Sequence, residues 1–435
     1  MNNKIIYDVA IIGGGMAGMT AAACLSEKGL KVCLIERNDK IGKKVALTGN
    51  GKCNLTNNNM SHTKYVSSND GYINEKLPKL IKKYSIDREQ EFYRTLGLYT
   101  KEKNGYVYPV SNQASTVVNV FINYLNKNGV LVILNEYVTD VRKEKDIFCI
   151  CNNQGSIVYS RKLIIATGGK AGVYKEKEYN GFSIIKKAGH KVTKLYPGLV
   201  QTICEEKEFF KEVSGVRVDA KATLYIDNEE ICYDTGEIQM TDKGLSGIPI
   251  FQLSRYIGGA LASGKKVYIK LDYLPNYSKE IIKRDILNRY KTDCDKLSMV
   301  NNEENKNKLM AADVLFDGLL NKKLETALLK RAHLSPTKPM KEGLTEKIMK
   351  FLSLIKEDEI KVIGINDFDK AQISVGGAEL SEIKNSFESV KSEGLYIVGE
   401  ALDVSGECGG YNLHFAWLSA MAAAEDISDK LSTNQ

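Results

Sequence analysis

The segment from residue 8 to residue 36 constrains the fold more than any other part of this chain. Residues 8–12 form a short apolar run, and three glycines follow it in the spacing G-x-G-x-x-G, at Gly13, Gly15 and Gly18. Residues 16–28 have helical character, residues 31–35 are a second apolar run, and Glu36 stands at its end. This order of strand, glycine turn, helix, strand and acid is typical of a dinucleotide-binding βαβ unit.

Each residue type in this unit has a physical role. Gly13 permits the tight turn, and Gly15 lets the backbone approach a pyrophosphate, whose charge is held by the free amides at the helix N-terminus. Gly18 allows the helix to pack closely on the strand, and Glu36 can accept hydrogen bonds from a ribose. The segment therefore predicts a dinucleotide site; the alternative is a glycine-rich helix start that holds no ligand.

Composition sets the class of protein. A chain of 435 residues with 43% hydrophobic and 26% charged residues is expected to form a globular protein of two or three domains. The formal charge of +7 is spread along the chain, so we expect no nucleic-acid partner. No apolar run reaches the length of a membrane span, and the first residues do not resemble a signal peptide, so we expect a cytoplasmic protein without a membrane partner. The sequence does not indicate the oligomeric state.

The nine cysteines form no C-x-x-C pair, so neither a metal site nor a disulfide framework is expected. Cys149 and Cys151, two residues apart in a predicted strand, are expected on opposite faces of that strand.

The predicted elements give an α/β fold in which both ends of the chain build one doubly wound, Rossmann-like domain. We expect this domain to comprise residues 1–190 and 371–435. Apolar and polar residues alternate, as in β-strands, over residues 191–274 and 358–370, which predicts a β-rich insert. A helical subdomain is predicted for residues 275–357.

Three glycine-rich segments each follow an apolar run, at residues 13–18, 168–172 and 399–410. Loops at the carboxyl ends of parallel strands gather in one crevice, so these segments predict one ligand site. With the glycine-rich stretch 42–54, they indicate a ligand longer than a mononucleotide. Gly409 and Gly410 precede a predicted helix over residues 411–425, whose positive end would stabilise the negative charge of a reduced flavin. The alternative is that these two glycines only form a flexible turn.

Five blocks carry a resemblance to a known family: GKKVALTGNGKCNLTN, LIIATGGKAG, GEIQMTDKGLSGIPIFQLSR, AQISVGGAEL and GLYIVGEALDVSGECGGYNLHFAWLSAMAA. In this order they resemble the BaiN-like FAD-dependent oxidoreductases, also called the aminoacetone oxidase family, over nearly the whole chain. The resemblance implies an FAD-binding domain similar to that of glutathione reductase, with a β-rich insert and a helical cap. It also implies FAD as the tightly held dinucleotide. Members commonly carry Gln where this chain has His414.

The resemblance and the glycine pattern together give the expected cofactor-binding residues. The ADP half would be held by Gly13, Gly15, Gly18 and Glu36. The ribityl chain and the flavin ring would be approached from one side by Val45, Thr48, Gly49, Lys52, Cys53 and Asn54, and from the other side by Glu400, Asp403, Gly410 and Asn412. The further cofactor-binding candidates are Met16, Ala17, Arg37, Lys44, Val138, Ala166, Thr167, Gly168, Gly169, Gly399, Gly409, Tyr411 and Leu413.

Reduction of a C=C bond needs a proton donor as well as a hydride. Tyr411 and His414 are three residues apart on the predicted helix and share a face, so they are the candidate catalytic acids. The alternative for each is a packing or hydrogen-bonding role. Cys53 and Cys408 lie in loops expected near the flavin, but the disulfide reductases of this fold carry two cysteines close in sequence, so a dithiol enzyme is disfavoured.

The leading hypothesis is therefore a reductase that moves a hydride from NAD(P)H through FAD to an activated C=C bond, such as the enone of a bile-acid-like or other apolar small molecule. The insert would supply the substrate pocket between the domains. No second G-x-G-x-x-G unit is present, so NAD(P)H is expected to bind transiently over the flavin. The alternatives are an oxidase that passes electrons from a small amine such as aminoacetone to O₂, and an RNA-associated flavoprotein.

Overall fold

The computed structural model describes residues 5–152, 154–172, 181–298, 311–340 and 343–433. The chain divides into two compact units. Unit 1 comprises Met1–Tyr196 and Gln372–Gln435, and unit 2 comprises Pro197–Ala371. Each unit has its own hydrophobic core.

Strands and helices are numbered here in chain order. The strands are β1 Ile6–Ile12, β2 Val32–Ile35, β3 Thr56–Asn57, β4 Tyr65–Val66, β5 Thr100–Lys103, β6 Tyr106–Pro109, β7 Leu131–Ile133, β8 Asp140–Glu144, β9 Ile147–Asn152, β10 Gly155–Ile165, β11 Tyr196–Gly198, β12 Thr202–Cys204, β13 Arg217–Ile226, β14 Glu229–Met240, β15 Leu245–Ser246, β16 Val267–Asp272, β17 Asp358–Ile365, β18 Ile373–Val375, β19 Leu395–Ile397 and β20 Ser405–Gly406. The helices are α1 Met16–Glu27, α2 Lys43–Leu47, α3 Leu77–Lys83, α4 Ile86–Thr95, α5 Ala114–Lys127, α6 Gly181–Lys187, α7 Lys207–Val213, α8 Ile248–Ala262, α9 Lys279–Ser298, α10 Ala312–Leu315, α11 Lys322–Arg331, α12 Leu344–Lys356 and α13 Tyr411–Ser432.

The main sheet of unit 1 brings the predicted loops to one edge. Its order is β7-β2-β1-β10-β9-β8, and β19 also pairs with β10. Strands β2, β1, β10 and β19 are parallel. Ile12 of β1 is in register with Ile35 of β2 and with Ile165 of β10, and Ile165 is in register with Ile397 of β19. Because these strands end level with one another, the segments that follow them lie at the same edge. The strand interiors are wholly buried, as expected of parallel strands covered on both faces.

Unit 2 is built on an antiparallel sheet of order β12-β17-β16-β13-β14-β15. The hairpin β13–β14 turns at Asp227 and Asn228, both with positive φ (50° and 70°), which suits the two-residue hairpin turns. Helix α8 packs on this sheet, and helices α9 to α12 follow β16 in sequence.

The α/β fold predicted from the sequence is confirmed, but several details differ. The apolar segments fold as predicted, whereas α6 was not anticipated and α13 runs seven residues past the expected end. The expected boundaries of the β-rich and helical parts of the insert stay predictions. The prediction for Cys149 and Cys151 was wrong: their sulfur atoms are 3.5 Å apart, because residues two apart on a strand share a face.

Within the described ranges, no helix combines the length and the apolar character needed to cross a bilayer.

Candidate dinucleotide site

The glycine turn after β1 is shaped by close contact between backbones. Gly13 has a φ of 107°, and a Cβ there would overlap the carbonyl of Ala166. A Cβ on Gly18 would overlap the carbonyl oxygen of Gly13, so α1 can approach the turn only with glycine at this position. Gly15, in contrast, has no atom within 4 Å of its Cβ position. The second glycine thus borders open space, which is where a pyrophosphate would lie.

Glu36 fixes the end of β2 against this turn. Its carboxylate accepts hydrogen bonds from the backbone N–H of Gly14 at 2.7 Å and of Asn38 at 2.9 Å. Oε1 also accepts the side-chain amide of Asn38 at 2.5 Å, whereas Oε2 accepts only the Gly14 N–H among the described residues, so this almost fully buried side chain keeps acceptor capacity at Oε2. Glu36 can therefore hold the glycine turn and still bind a ribose hydroxyl.

A small cleft lies beside Glu36. It is lined by Ile12, Gly13, Ile35, Glu36, Arg37, Glu136, Tyr137, Val138, Thr167, Gly181 and Ile184. The hydroxyl of Thr167 is buried and has no hydrogen-bond partner within the described part of the chain. Next to it, Gly168 has a φ of 69° and nothing within 4 Å of its Cβ position. A buried hydroxyl without a partner beside an open glycine fits a polar ligand in this cleft.

The segment that follows β2 is a tight, strained turn. After α2, a 3-10 turn over Thr48–Gly51 contains Gly49 and Asn50 in the left-handed region, and Cys53 also has a positive φ of 57°. The Thr48 hydroxyl donates to the Val45 carbonyl at 2.7 Å. Left-handed non-glycine residues cost free energy and cluster at functional sites, which supports the prediction that this segment borders a ligand.

The thiol of Cys53 is fully buried, and burial raises its pKa to about 11. It is therefore protonated at neutral pH, whereas the thiolate is the reactive form. Neither Cys53 nor Cys408 forms a disulfide. The disfavoured dithiol alternative gains no support from this geometry.

An ion pair joins the loops from the two ends of the chain. The ammonium of Lys44 lies 2.6 Å from one carboxylate oxygen of Glu400, and the other oxygen accepts the backbone N–H of Ser374 at 3.0 Å. A Cβ on Gly169 would overlap the Glu400 carboxylate. The loops after β2, β10 and β19 therefore meet at Glu400, as the sequence predicted for loops at one sheet edge.

The loop after β19 also packs closely on α1. Gly399 has a φ of 69°, its N–H donates to the Ser419 hydroxyl at 2.9 Å, and its Cβ position is 3.0 Å from the Ala17 Cβ. Further along, Asp403 accepts hydrogen bonds from the backbone N–H and the hydroxyl of Ser68. Burial raises the pKa of Asp403. Asp403 thus fixes the shape of this loop.

Helix α13 begins at the centre of this region. Gly409 and Gly410 have φ values of 116° and 96°, and a Cβ on Gly410 would lie 2.6 Å from the Thr56 carbonyl group. The Asn412 side chain pairs with the backbone of Gly406 in both directions, at 2.8 and 2.9 Å. These contacts hold the positive end of a 22-residue helix at the turn.

Tyr411 is a buried phenol in this structure. It is 4% exposed, its hydroxyl donates to the Asn59 carbonyl at 3.4 Å, and its backbone carbonyl accepts the Tyr65 hydroxyl at 2.9 Å. Burial raises the pKa of Tyr411 to about 12.

His414 is buried as well and belongs to a side-chain network. Its Nδ1 lies 2.6 Å from a carboxylate oxygen of Glu89, whose other oxygen accepts the Tyr93 hydroxyl at 3.0 Å. The Nε2 atom is buried and has no partner among the described residues. The structure therefore places both predicted acids in closed surroundings, and their catalytic role stays a prediction.

The remaining predicted cofactor residues differ in exposure. The buried ones are Met16, Ala17, Val45, Val138 and Ala166; the partly exposed ones are Arg37, Asn54 and Leu413; the exposed ones are Gly49 and Lys52. No group of three or more His, Cys, Asp or Glu side chains within the described ranges has the geometry of a metal site.

Sequence reasoning missed several residues at the site. Gly181 and Ile184 line the cleft, Ser374 supports Glu400, and Glu89 partners His414. The apolar residues of GFSIIKK lie on one side of a helix and could have indicated α6. Nothing in the sequence marks Glu89, because its partner is 325 residues away.

Known proteins resemble the chain over almost its full length. The family model described as HI0933-like protein Rossmann domain matches residues 7–426. A 3-dehydro-bile acid delta(4,6)-reductase from Clostridium scindens is 33% identical over 96% of this chain and 99% of its own. Ribosomal RNA dihydrouridine synthases from Escherichia coli and Haemophilus influenzae are 27% and 25% identical, over 97% and 96% of this chain and 98% of each of theirs.

These matches agree with the geometry. The open space at Gly15 and Gly168 and the buried Thr167 hydroxyl fit an extended dinucleotide. The loops after β2, β10 and β19 meet at Glu400, so segments from both sides of unit 2 lie at this sheet edge. The chain thus belongs to the HI0933-like family, and it is an FAD-dependent oxidoreductase with a Rossmann-type cofactor domain.

Proposed function

We propose that this protein is an NAD(P)H-dependent reductase of a C=C bond conjugated to a carbonyl group in an apolar, steroid-like substrate. The observation that carries the proposal is the 33% identity to a 3-dehydro-bile acid delta(4,6)-reductase over nearly the full length of both chains. Bound FAD supplies the hydride transfer, and the protein supplies binding, orientation and proton transfer.

The residues of unit 1 have distinct parts in this proposal. Glu36 and the turn at Gly15 hold the ADP half, and the backbone amides at the start of α13 face the flavin ring. The positive end of that helix, equivalent to about half an elementary charge, stabilises negative charge on the reduced ring. Lys44 and Glu400 tie the loops from the two chain ends together, which keeps the site in one geometry.

NAD(P)H, the proposed electron donor, has no dinucleotide-binding unit of its own in this sequence. The sequence contains one G-x-G-x-x-G unit followed by a strand and an acid, and this unit is assigned to FAD. NAD(P)H therefore binds transiently over the flavin rather than in a nucleotide domain of its own.

A second candidate is the reduction of a uracil base in RNA. The two ribosomal RNA dihydrouridine synthases cover almost the whole chain at lower identity. The chemistry is closely related, because the C5=C6 bond of uracil is also conjugated to a carbonyl. We favour the steroid-like substrate because the identity is higher, and because no segment of this sequence concentrates Lys and Arg as an RNA-binding surface does.

Anaerobic spectroscopy of the purified protein tests the proposal. NADH or NADPH should bleach the flavin absorbance, and a 3-dehydro-Δ4,6 bile acid should restore it as one of its two C=C bonds is reduced. A flavin that stays oxidised under an excess of both nucleotides contradicts the proposed donor. Reoxidation by a ribosomal RNA transcript and not by the enone supports the second candidate, and this reaction should weaken steeply with salt. Rapid peroxide formation in air, without reaction with either acceptor, indicates an oxidase.

A further inference from the structure

The hairpin β5–β6 presents two phenols on one face. It turns at Asn104 and Gly105, so Tyr106 and Tyr108 share a face, while Val107 and Pro109 lie on the buried face. Tyr106 and Tyr108 are both partly exposed.

This hairpin is attached to the start of α13. Strand β6 pairs with β3, which places Asn57 opposite Tyr106. The Asn57 amide donates to the Gly409 carbonyl at 3.0 Å. The hairpin, β3 and the Gly409 turn therefore form one connected structure.

The ring of Tyr106 lies directly against Gly409. A Cβ on this glycine would be 2.8 Å from Cε1 and 3.4 Å from Cδ1 of the ring. Any side chain at position 409 would therefore collide with Tyr106. The ring thus occupies the space beside the turn at which the flavin ring is proposed to lie.

Tyr106 differs from the two acids that the sequence indicated. The Tyr411 hydroxyl donates a hydrogen bond to a backbone carbonyl. His414 is wholly buried, and its Nδ1 atom faces Glu89. Tyr106 is partly exposed, and its hydroxyl has no hydrogen bond to the residues that the structure describes. Its phenol can therefore exchange a proton with solvent.

We infer that Tyr106 is the proton donor of the reductase, an inference that rests on the proposed function. Bound FAD in its reduced form would supply the hydride for the new C–H bond at the β-carbon of the conjugated C=C bond and would be oxidised in doing so. The O–H bond of Tyr106 breaks as its proton forms the C–H bond at the α-carbon. The phenolate then takes a proton from water, and NAD(P)H reduces the flavin for the next cycle.

The substitution Tyr106→Phe tests this inference, and Tyr108→Phe is the matched control, since it removes the same hydroxyl two residues away on the same hairpin face. Each variant is loaded with FAD, reduced anaerobically and mixed with saturating 3-dehydro-Δ4,6 bile acid, and flavin reoxidation is followed by absorbance. We expect Y106F to reoxidise about 100-fold more slowly than the wild type and Y108F to match it, because positioned proton donors contribute roughly that much. Reduction by NAD(P)H should be unchanged in both.

Two binding measurements separate proton donation from a structural role. FAD content and the Kd of the enone for the oxidised enzyme, read from the shift of the flavin spectrum, should be the same in Y106F and the wild type. A Y106F variant that reoxidises at the wild-type rate overturns the inference. Weaker enone binding with an unchanged rate at saturation does so too, since the ring would then only position the substrate. If the wild-type flavin is not reoxidised by the enone, the proposed function fails, and the role of Tyr106 fails with it.

Discussion

His414 and Glu89 show what a single pair of buried side chains contributes to this fold. Both are fully buried, and Nδ1 of the imidazole is 2.6 Å from the carboxylate. The helical spacing from Tyr411 placed His414 near the start of α13, but local sequence could not indicate a partner on α4. A partner distant in sequence is set by the packing of helices, which no residue pattern around position 414 encodes.

His414→Ala should destabilise unit 1 by about 3 kcal/mol, because it leaves the Glu89 carboxylate buried without this partner. His414→Gln should cost only about 1 kcal/mol, since the amide can still donate to Glu89. Trp417 is the sole tryptophan of the chain, and its ring centroid lies 5.7 Å from that of His414, so tryptophan fluorescence in urea reports this region directly. Equal stability of H414A and the wild type would show that the pair contributes nothing net.

Asp358 in unit 2 makes a pH-dependent contribution to stability. Burial raises its pKa from the ordinary 3.8 to about 6, although Arg331 opposes this shift and the Tyr273 hydroxyl donates to the carboxylate at 2.7 Å. Because the folded state holds the proton more tightly, this contribution is largest below about pH 4. It falls by about 3 kcal/mol as the pH rises to about 6.

Asp358→Asn removes this titration. The unfolding free energies of the wild type and D358N are measured in urea by circular dichroism. Between about pH 4 and pH 6 the wild type should lose stability relative to D358N, and above that range the difference should stay constant. Subtracting the unfolding free energy of D358N from that of the wild type cancels the contributions of the other carboxylates, which both proteins share. A difference that does not change over this range contradicts the raised pKa.

Among the elements, the turn between β1 and α1 was the easiest to predict from the sequence. The spacing of its three glycines gave their positions and roles, and the structure supplies the reason that positions 13 and 18 cannot carry a side chain. The segment 42–54 was less predictable. Its left-handed residues include Asn50 and Cys53, and a non-glycine residue in that region leaves little trace in the sequence.

Gly15 and Gly18 should respond differently to alanine. Gly15→Ala should fold with nearly normal thermal stability, because its Cβ meets no protein atom, but should lose FAD affinity as the methyl group occupies the proposed pyrophosphate position. Gly18→Ala should destabilise the protein itself, because its Cβ overlaps the Gly13 carbonyl. Melting temperature without FAD and the Kd of FAD distinguish the two effects. Tight FAD binding by G15A would contradict the assigned pyrophosphate position.

For the whole molecule, the return of the strand and glycine pattern near residue 395 predicts a domain built from both ends of the chain, and the boundaries expected for it stay predictions. The neighbours of each strand were harder to predict. Strand β19 has three residues and meets β10 beyond its pairing with β9, and such a short strand does not specify its partner. The sequence could therefore predict which loops share one sheet edge, while the contact of Tyr106 with Gly409 emerged only from the folded chain.

We propose that unit 1 folds and binds FAD without residues 197–371. The segments by which the chain leaves and re-enters this unit lie side by side: the Thr193 N–H donates to the Gly377 carbonyl at 2.9 Å. A short Gly-Ser linker in place of unit 2 should give a yellow protein with cooperative thermal unfolding and no enone reduction. The full chain, purified in parallel, is the control. A colourless or unfolded product would show that the cofactor domain depends on unit 2.

The pairing of β10 with β19 has a consequence for biosynthesis. The strand Leu395–Ile397 and the Gly409–Gly410 turn follow unit 2 in the sequence, whereas β1, β2 and β10 precede it. A nascent polypeptide can fold its first βαβ unit early, but its proposed flavin site stays incomplete until unit 2 and the strand after it have been synthesised. A truncation that removes residues 395–410 should therefore leave a protein without a complete cofactor site.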